Sequence, residues 1–253
     1  MYHLPKGYLS HSQITCYWNC PYKYKCRYID GRPGRPSIDQ CFGSALHNTF
    51  QRYMTLKRDG YLKAATSWAK EFDKDWKKEL KAAGYPDDKR LREVGQHFAE
   101  TYIKDFAPDL APSLIEFKRE VLLGRVPYVG VVDLATRDGR VIDYKTSNKA
   151  KDIAEAKITG QLTGYAVIYK DWTGDNATSC ELHNFVKTTG DIQILPGGPR
   201  SEKQIASYAE TVHTTAYSIT QQVFYKRNKW GRNFLCTENW CEFYHDCQGD
   251  VRQ

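Results

Sequence analysis

One stretch constrains this chain more than any other: Gly130-Val-Val-Asp-Leu-Ala-Thr-Arg-Asp-Gly-Arg-Val-Ile-Asp-Tyr-Lys-Thr146. Val131, Val132, Leu134, Val141 and Ile142 give both halves the apolar, β-branched character of buried strands. Asp138-Gly139 between them is a turn signal, because these residues accept positive φ. A hairpin is therefore predicted. Strand side chains alternate between faces, so Asp143 and Lys145 share one face, and the hairpin folds Asp133 back beside them. Two carboxylates that close repel unless a cation lies between them, and hard divalent metals take oxygen ligands. A lysine at the edge of such a site stabilises developing negative charge or positions a water. This is equipment for metal-assisted phosphodiester hydrolysis. The plain alternative is a solvated surface ion pair, but segments this apolar belong in the interior, where unpaired charge is expensive.

The rest of the chain supplies a frame for that hairpin. Strands are predicted at about 114–123, 127–136 and 140–146, and again at 178–187 and 191–195. Between the two groups, residues 152–170 read as one helix with Gln161 and Tyr165 a turn apart on one face. Upstream, Ser10 and Gln13 form a capping box for a short helix, and Pro21 opens a second. Residues 31–37 are a loop by composition. Phe42, Leu46, Phe50 and Met54 recur every four residues in a helix over 39–58, with His47 one step off the stripe. Helices at 61–83 and 87–106 flank Gly84-Tyr-Pro86, and a long one over 201–227 leads to a cysteine-rich end. The fold class is α/β: a mixed sheet flanked by helices, with an N-terminal helical part and a C-terminal cysteine motif. No linker divides it, so one domain over 1–253 is expected: a helical part to about 110, a core over about 111–230 and a tail over about 231–253.

Charge and cysteine content narrow the partners. The formal net charge is +7, which favours a polyanion. Eighteen tyrosines and six tryptophans exceed what a core of this size needs. Lysine and arginine interleave with aromatics in Tyr22-Lys-Tyr-Lys-Cys-Arg-Tyr28 and Phe224-Tyr-Lys-Arg-Asn-Lys-Trp230. Such segments can track phosphates and stack on unpaired bases, or can equally be amphipathic helices with tyrosine packed inward. No apolar run is long enough for a transmembrane helix and no apolar signal region opens the chain, so a cytoplasmic protein without a membrane partner is expected. Eight cysteines in such a chain argue for metal binding over a disulfide framework. Cys236, Cys241 and Cys247 stand within twelve residues of one another and can converge on one metal centre.

Five motifs, in order, carry a family resemblance. They are Leu9-Ser-His-Ser-Gln-Ile-Thr-Cys-Tyr-Trp-Asn-Cys-Pro-Tyr-Lys-Tyr24, Gly43-Ser-Ala-Leu-His47, the hairpin with its Asp143-Tyr-Lys145, Gln161-Leu-Thr-Gly-Tyr165 and the cysteine trio. The series resembles the RecB-like branch of the PD-(D/E)XK nucleases, with its restriction-endonuclease-like fold. Within that branch it is similar to CRISPR-associated iron–sulfur nucleases, their phage relatives and the nuclease domain of AddB-type repair helicases. The four-residue gap between Cys236 and Cys241 departs from the two-residue gap of the CRISPR-associated members and resembles phage-type ones.

The resemblance implies roles. Asp133 and Asp143 would bind Mg²⁺ or Mn²⁺ with His47 and the carbonyl of Tyr144, the imidazole suiting the softer metal. Lys145 would orient or activate the attacking water. Gln161 and Tyr165 would position the phosphate backbone or Lys145. Glu120 could bind a second metal through water, with Glu116 a weaker candidate. Cys20 would join Cys236, Cys241 and Cys247 around a 4Fe–4S cluster, with Cys16 and Cys26 as nearby competitors for the fourth place. Structural Zn²⁺ is the alternative, and His245 makes a mixed zinc site possible. Cys41 and Cys180 read as buried thiols. The implied function is a metal-dependent DNA exonuclease acting on free ends, preferring single strands, in phage or bacterial recombination, repair or degradation. A recombination or replication protein is the implied partner. The alternatives are a non-catalytic or structure-selective nucleic-acid-binding module and a nuclease of CRISPR spacer acquisition.

Overall fold

The computed structural model describes residues 2–63, 66–227, 235–238 and 241–249. Its chain groups into two compact units, each assembled from separate stretches of sequence. One holds Pro36–Arg119 and Gly130–Ile205; the other holds Met1–Arg35, Glu120–Val129 and Ala206–Gln253.

In the larger unit, helix α3 (Ile38–Arg58) opens on a full capping box between Ser37 and Gln40. Its stripe of Phe42, Leu46, Phe50 and Met54 is buried. Helix α4 (Trp68–Ala83) answers with Trp68, Phe72, Trp76 and Leu80, and α5 (Lys89–Asp105) with Leu91, Phe98 and Tyr102. These residues form one aromatic-rich core with Leu134, Ile142, Tyr144 and Phe185 from the sheet. The strands are β1 (Pro112–Leu123), β2 (Val126–Thr136), β3 (Arg140–Ser147), β4 (Ser179–Val186) and β5 (Asp191–Pro196), in the order β1-β2-β3-β4-β5. β2 and β3 are antiparallel, as are β4 and β5, while β3 and β4 are parallel, so the sheet is mixed. The parallel pair needs a crossover. It is made by α6 (Ile153–Ile158) and α7 (Gly160–Thr173), and α7 packs on β3 and β4.

That crossover was expected as one helix. Thr159 adopts an extended conformation (φ −60°, ψ 126°) and splits it in two. Buried Arg200 bridges the break, donating from Nε to Thr163 Oγ1 and from Nη2 to the Ala156 carbonyl at 2.5 Å. Two further boundaries differ from expectation. The helix expected from residue 61 starts at Trp68, where Ser67 caps it, and the helix expected to reach 227 ends at Thr220.

The smaller unit contains α1 (His11–Asn19), α2 (Pro21–Tyr24), α8 (Glu202–Thr220, from Ala206 onward) and α9 (Tyr244–Gly249). Ser10 caps α1 by accepting the Gln13 N–H, but the Gln13 side chain bonds the serine hydroxyl and not its backbone, so the box is half formed. Leu9 bridges to Tyr128, and Tyr24 stacks on Phe224. Glu242 pairs with Lys23 at 2.7 Å and with Arg27, and Asp246 with Arg32 at 3.4 Å. Segments from the two ends of the chain are thus joined within one unit.

Candidate active site

The site is built around β3. Ile142 and Tyr144 point into the aromatic core, which turns Asp143 and Lys145 to the other face. Leu134 pairs with Ile142, and continuing that antiparallel register by one residue sets Asp133 opposite Asp143. Asp143 is fully buried and Asp133 is 6% exposed. Lys145 Nζ donates to Asp143 Oδ1 at 2.9 Å. Asp143 Oδ2 is buried without a hydrogen-bond partner. Such an orphaned acceptor costs roughly 1–3 kcal/mol, more when charged, so the site is incomplete without a cation or donor there. Asp133 is held on both oxygens. Oδ2 accepts the Tyr144 N–H at 2.9 Å, a donor that a regular strand would give to its neighbour, and Oδ1 accepts the Tyr165 hydroxyl at 3.0 Å. Gln161 Nε2 donates to that hydroxyl at 2.8 Å. The Gln161–Tyr165 pair therefore contacts Asp133, and neither residue is seen bonded to Lys145.

His47 reaches the site from α3. Its Nε2–H donates to the Tyr144 carbonyl at 2.9 Å. Nδ1 is left facing the carboxylates, 3.6 Å from Asp133 Oδ2 and 3.8 Å from Glu116 Oε1. One ligand atom from each of His47, Glu116 and Asp133 lies within 4.8 Å of the other two. One nitrogen and two carboxylates at that spacing suit a divalent ion. Metal-binding imidazoles commonly give their second N–H to a carbonyl, which fixes ring and tautomer. Here the Tyr144 carbonyl accepts that N–H.

Glu116 joins the group through an unusual backbone. Its φ is +45° within β1, a left-handed conformation that costs a non-glycine residue of order 1–3 kcal/mol and persists where the surroundings enforce it. Glu120, the preferred candidate from sequence, is exposed, falls in the Glu120–Val129 stretch of the other unit and is not one of the three. Alternation could not choose between two glutamates four residues apart on one strand.

The charges are mutually adjusted. Burial opposes protonation of His47, but the Glu116 and Asp133 carboxylates facing its ring prevail and raise its pKa to about 8. Burial pushes Asp143 up to about 6, against the pull of Lys145. Burial likewise works against the Lys145 ammonium, yet Asp143 and Asp133 hold its pKa above the usual lysine value. Burial, with the nearby carboxylates, lifts Tyr165 well above 10, so its hydroxyl remains a donor. An imidazolium thus balances the site at neutral pH, and a metal ion must displace its proton. Since His47 is protonated below pH 8, Mn²⁺ affinity is expected to rise about tenfold per pH unit between 6 and 8 and to level off above. Calorimetric titration near pH 7, in buffers of different ionisation enthalpy, should show close to one proton released per ion. A pH-independent affinity would contradict this balance.

The second constellation lies in the smaller unit. No disulfide joins any of the eight cysteines among the described residues. Cys20 ends α1 and precedes α2; Cys241 stands before α9 and Cys247 within it. Burial first, and then the neighbouring thiols including Cys20, raise the pKa of Cys236, Cys241 and Cys247. The four therefore share one electrostatic neighbourhood, each half-exposed. Cys16 and Cys26 are buried. Cys41 and Cys180 are buried as expected, far from this group in sequence and assigned to the larger unit. His245 is 79% exposed and faces Glu238 at 3.9 Å.

A buried, lysine-flanked carboxylate pair on adjacent strands is thus backed by a histidine from a helix. A family model for the PD-(D/E)XK nuclease superfamily matches residues 8–248, and the chain belongs to that superfamily. Among solved structures, the crystal structure of a "Putative exonuclease" from Eubacterium rectale has the same fold, with a TM-score of 0.59, 13% identity and coverage of 89% of this chain and 86% of that one. The crystal structure of SSO0001 matches at a TM-score of 0.38 with 17% identity, over 81% of this chain and 94% of that one. No curated protein matches the chain. No helix among the described residues is long and apolar enough to cross a membrane.

Proposed function

We propose that this nuclease is a metal-dependent DNA exonuclease of the RecB-like type that degrades DNA from free ends and prefers single strands. The observation that carries the reading is the convergence of His47, Glu116 and Asp133 beside a buried Asp143 whose Oδ2 has no partner. These residues would hold Mg²⁺ or Mn²⁺, with Asp143 as a further carboxylate ligand. The ion would neutralise charge on the scissile phosphate and lower the pKa of water. Lys145, anchored on Asp143, would orient the attacking water and meet developing negative charge. Tyr165 and Gln161 would hold Asp133 in its ligating orientation.

A 4Fe–4S cluster held by Cys20, Cys236, Cys241 and Cys247 belongs to the same reading. The likeness of the cysteine series to iron–sulfur nucleases favours a cluster over zinc. Eight cysteines with no disulfide among the described residues support a reducing, cytoplasmic setting. The four-residue first cysteine gap favours a role in phage or bacterial DNA processing, alongside a recombination or replication protein.

The test is cleavage of end-labelled single- and double-stranded DNA with Mg²⁺, Mn²⁺ or EDTA. Mononucleotide or short-oligomer release from linear strands, abolished by EDTA, is expected. Equal cleavage of covalently closed circles would overturn the exonuclease assignment.

A further inference from the structure

Trp172 lies in the last turn of α7 and is 53% exposed, unusual for the largest side chain. It is nevertheless fixed. Phe117 packs on it with ring centroids 5.1 Å apart, and the Arg119 guanidinium lies 5.1 Å from its centroid. Arg119 is oriented in turn by Asp171, the residue before the tryptophan. Phe117 and Arg119 alternate along β1, so one face of the strand grips the indole while half its surface stays in water. A ring held in one orientation and left open has already lost the rotamer freedom that binding would otherwise remove.

Its place relative to the candidate site follows from the same two elements. Trp172 is seven residues beyond Tyr165 on α7, two turns, so both lie on one side of the helix about 10.5 Å apart along its axis. Phe117 directly follows Glu116 on β1. The platform and the site therefore share their strand and their helix face. The separation is close to that of three stacked nucleotides, at roughly 3.4 Å each. Arg119 sets a cation against the ring, and the chain carries a net charge of +7. A cation beside an exposed ring is the pairing that unpaired bases on a phosphate backbone recognise.

We propose that Trp172, clamped by Phe117 and Arg119, is a stacking platform for an unpaired base of a single DNA strand whose scissile phosphate lies at the candidate site. The inference rests on the nuclease reading above, and names the residue that discriminates single strands from duplex. A paired base has no free face for the ring, whereas an unpaired one does.

Binding measured in EDTA separates this inference from catalysis. The probes are fluorescein-labelled oligothymidylate, a strand of equal length with abasic spacers in place of bases, and a blunt duplex. Trp172→Ala should weaken oligothymidylate binding about tenfold or more, as expected for loss of one stacked base. It should leave the abasic strand and the duplex within twofold, and Trp172→Phe should recover most of the loss. In the wild-type protein, irradiation with a 5-iodouracil strand should crosslink Trp172, which tests the contact without any substitution. An equal loss on all three probes, no loss on oligothymidylate, or crosslinks only elsewhere would overturn the platform. If wild-type protein with Mn²⁺ cleaves no DNA while the binding pattern holds, the nuclease reading fails and the platform stands.

Discussion

Asp143→Asn is expected to lower the cleavage rate about a thousandfold or more while leaving DNA affinity within roughly threefold. The substitution keeps the side chain's shape and an oxygen for the Lys145 ammonium, which donates to Oδ1 at 2.9 Å. It removes the charge that a divalent ion needs and converts the orphaned Oδ2 position to a neutral group. A thousandfold corresponds to about 4 kcal/mol of transition-state stabilisation, within what a charge-neutralising ion supplies. Affinity is carried mainly by phosphate contacts elsewhere, so binding should survive. Lys145→Ala should be similarly inactive. Single-turnover cleavage with Mn²⁺, beside equilibrium binding in EDTA, reads both quantities. Retention of more than a few per cent of wild-type cleavage by both variants would refute the assignment of the pair.

Cys20→Ala is expected to abolish iron binding and to lower the folded fraction. Wild-type protein purified without oxygen should be brown, with broad absorbance near roughly 400 nm. Cys20 would be the only ligand from the N-terminal segment, and a cluster joining it to Cys236, Cys241 and Cys247 closes a loop of over two hundred residues. Closing so long a loop restricts the unfolded chain, and cluster binding is itself folding free energy. Without it, the cysteine-bearing tail would be joined to the N-terminal segment by ion pairs such as Lys23–Glu242 and Arg32–Asp246, and partly exposed pairs contribute under about 1 kcal/mol each. Cys180→Ala lies outside the group and should keep full colour. Iron and zinc analysis with thermal melting distinguishes the outcomes. One zinc and no iron would replace the cluster but keep the closure; full colour in Cys20→Ala would move the fourth ligand to Cys16 or Cys26.

The hairpin was legible in sequence because its signals are local: alternating apolar residues, an Asp138-Gly139 turn and a fixed period of two. The same holds for the stripe of α3, whose four-residue spacing admits one buried face. What sequence concealed depended on contacts made at a distance. Thr159 breaks the crossover helix at a place where no proline or glycine precedes the break, and buried Arg200, forty residues on, spans it. Glu116 and Glu120 have the same parity on β1, so only register and the left-handed φ of Glu116 separate them. The resemblance implied the Tyr144 carbonyl as a metal ligand, and the carbonyl accepts from His47. Its bond to His47 depends on where α3 lies, which periodicity does not encode.

Tyr144 joins three parts of the molecule at once. Its ring lies in the aromatic core among Phe50, Tyr102 and Phe185, its N–H is held by Asp133, and its carbonyl holds His47. A shift of that ring by even part of an ångström moves the backbone atoms that orient two of the three converging groups together. Interiors this closely packed transmit strain and do not absorb it. Substitutions at Phe50 or Phe185 would therefore act on the chemistry without touching DNA, and the reactive geometry can be no more durable than the packing behind it.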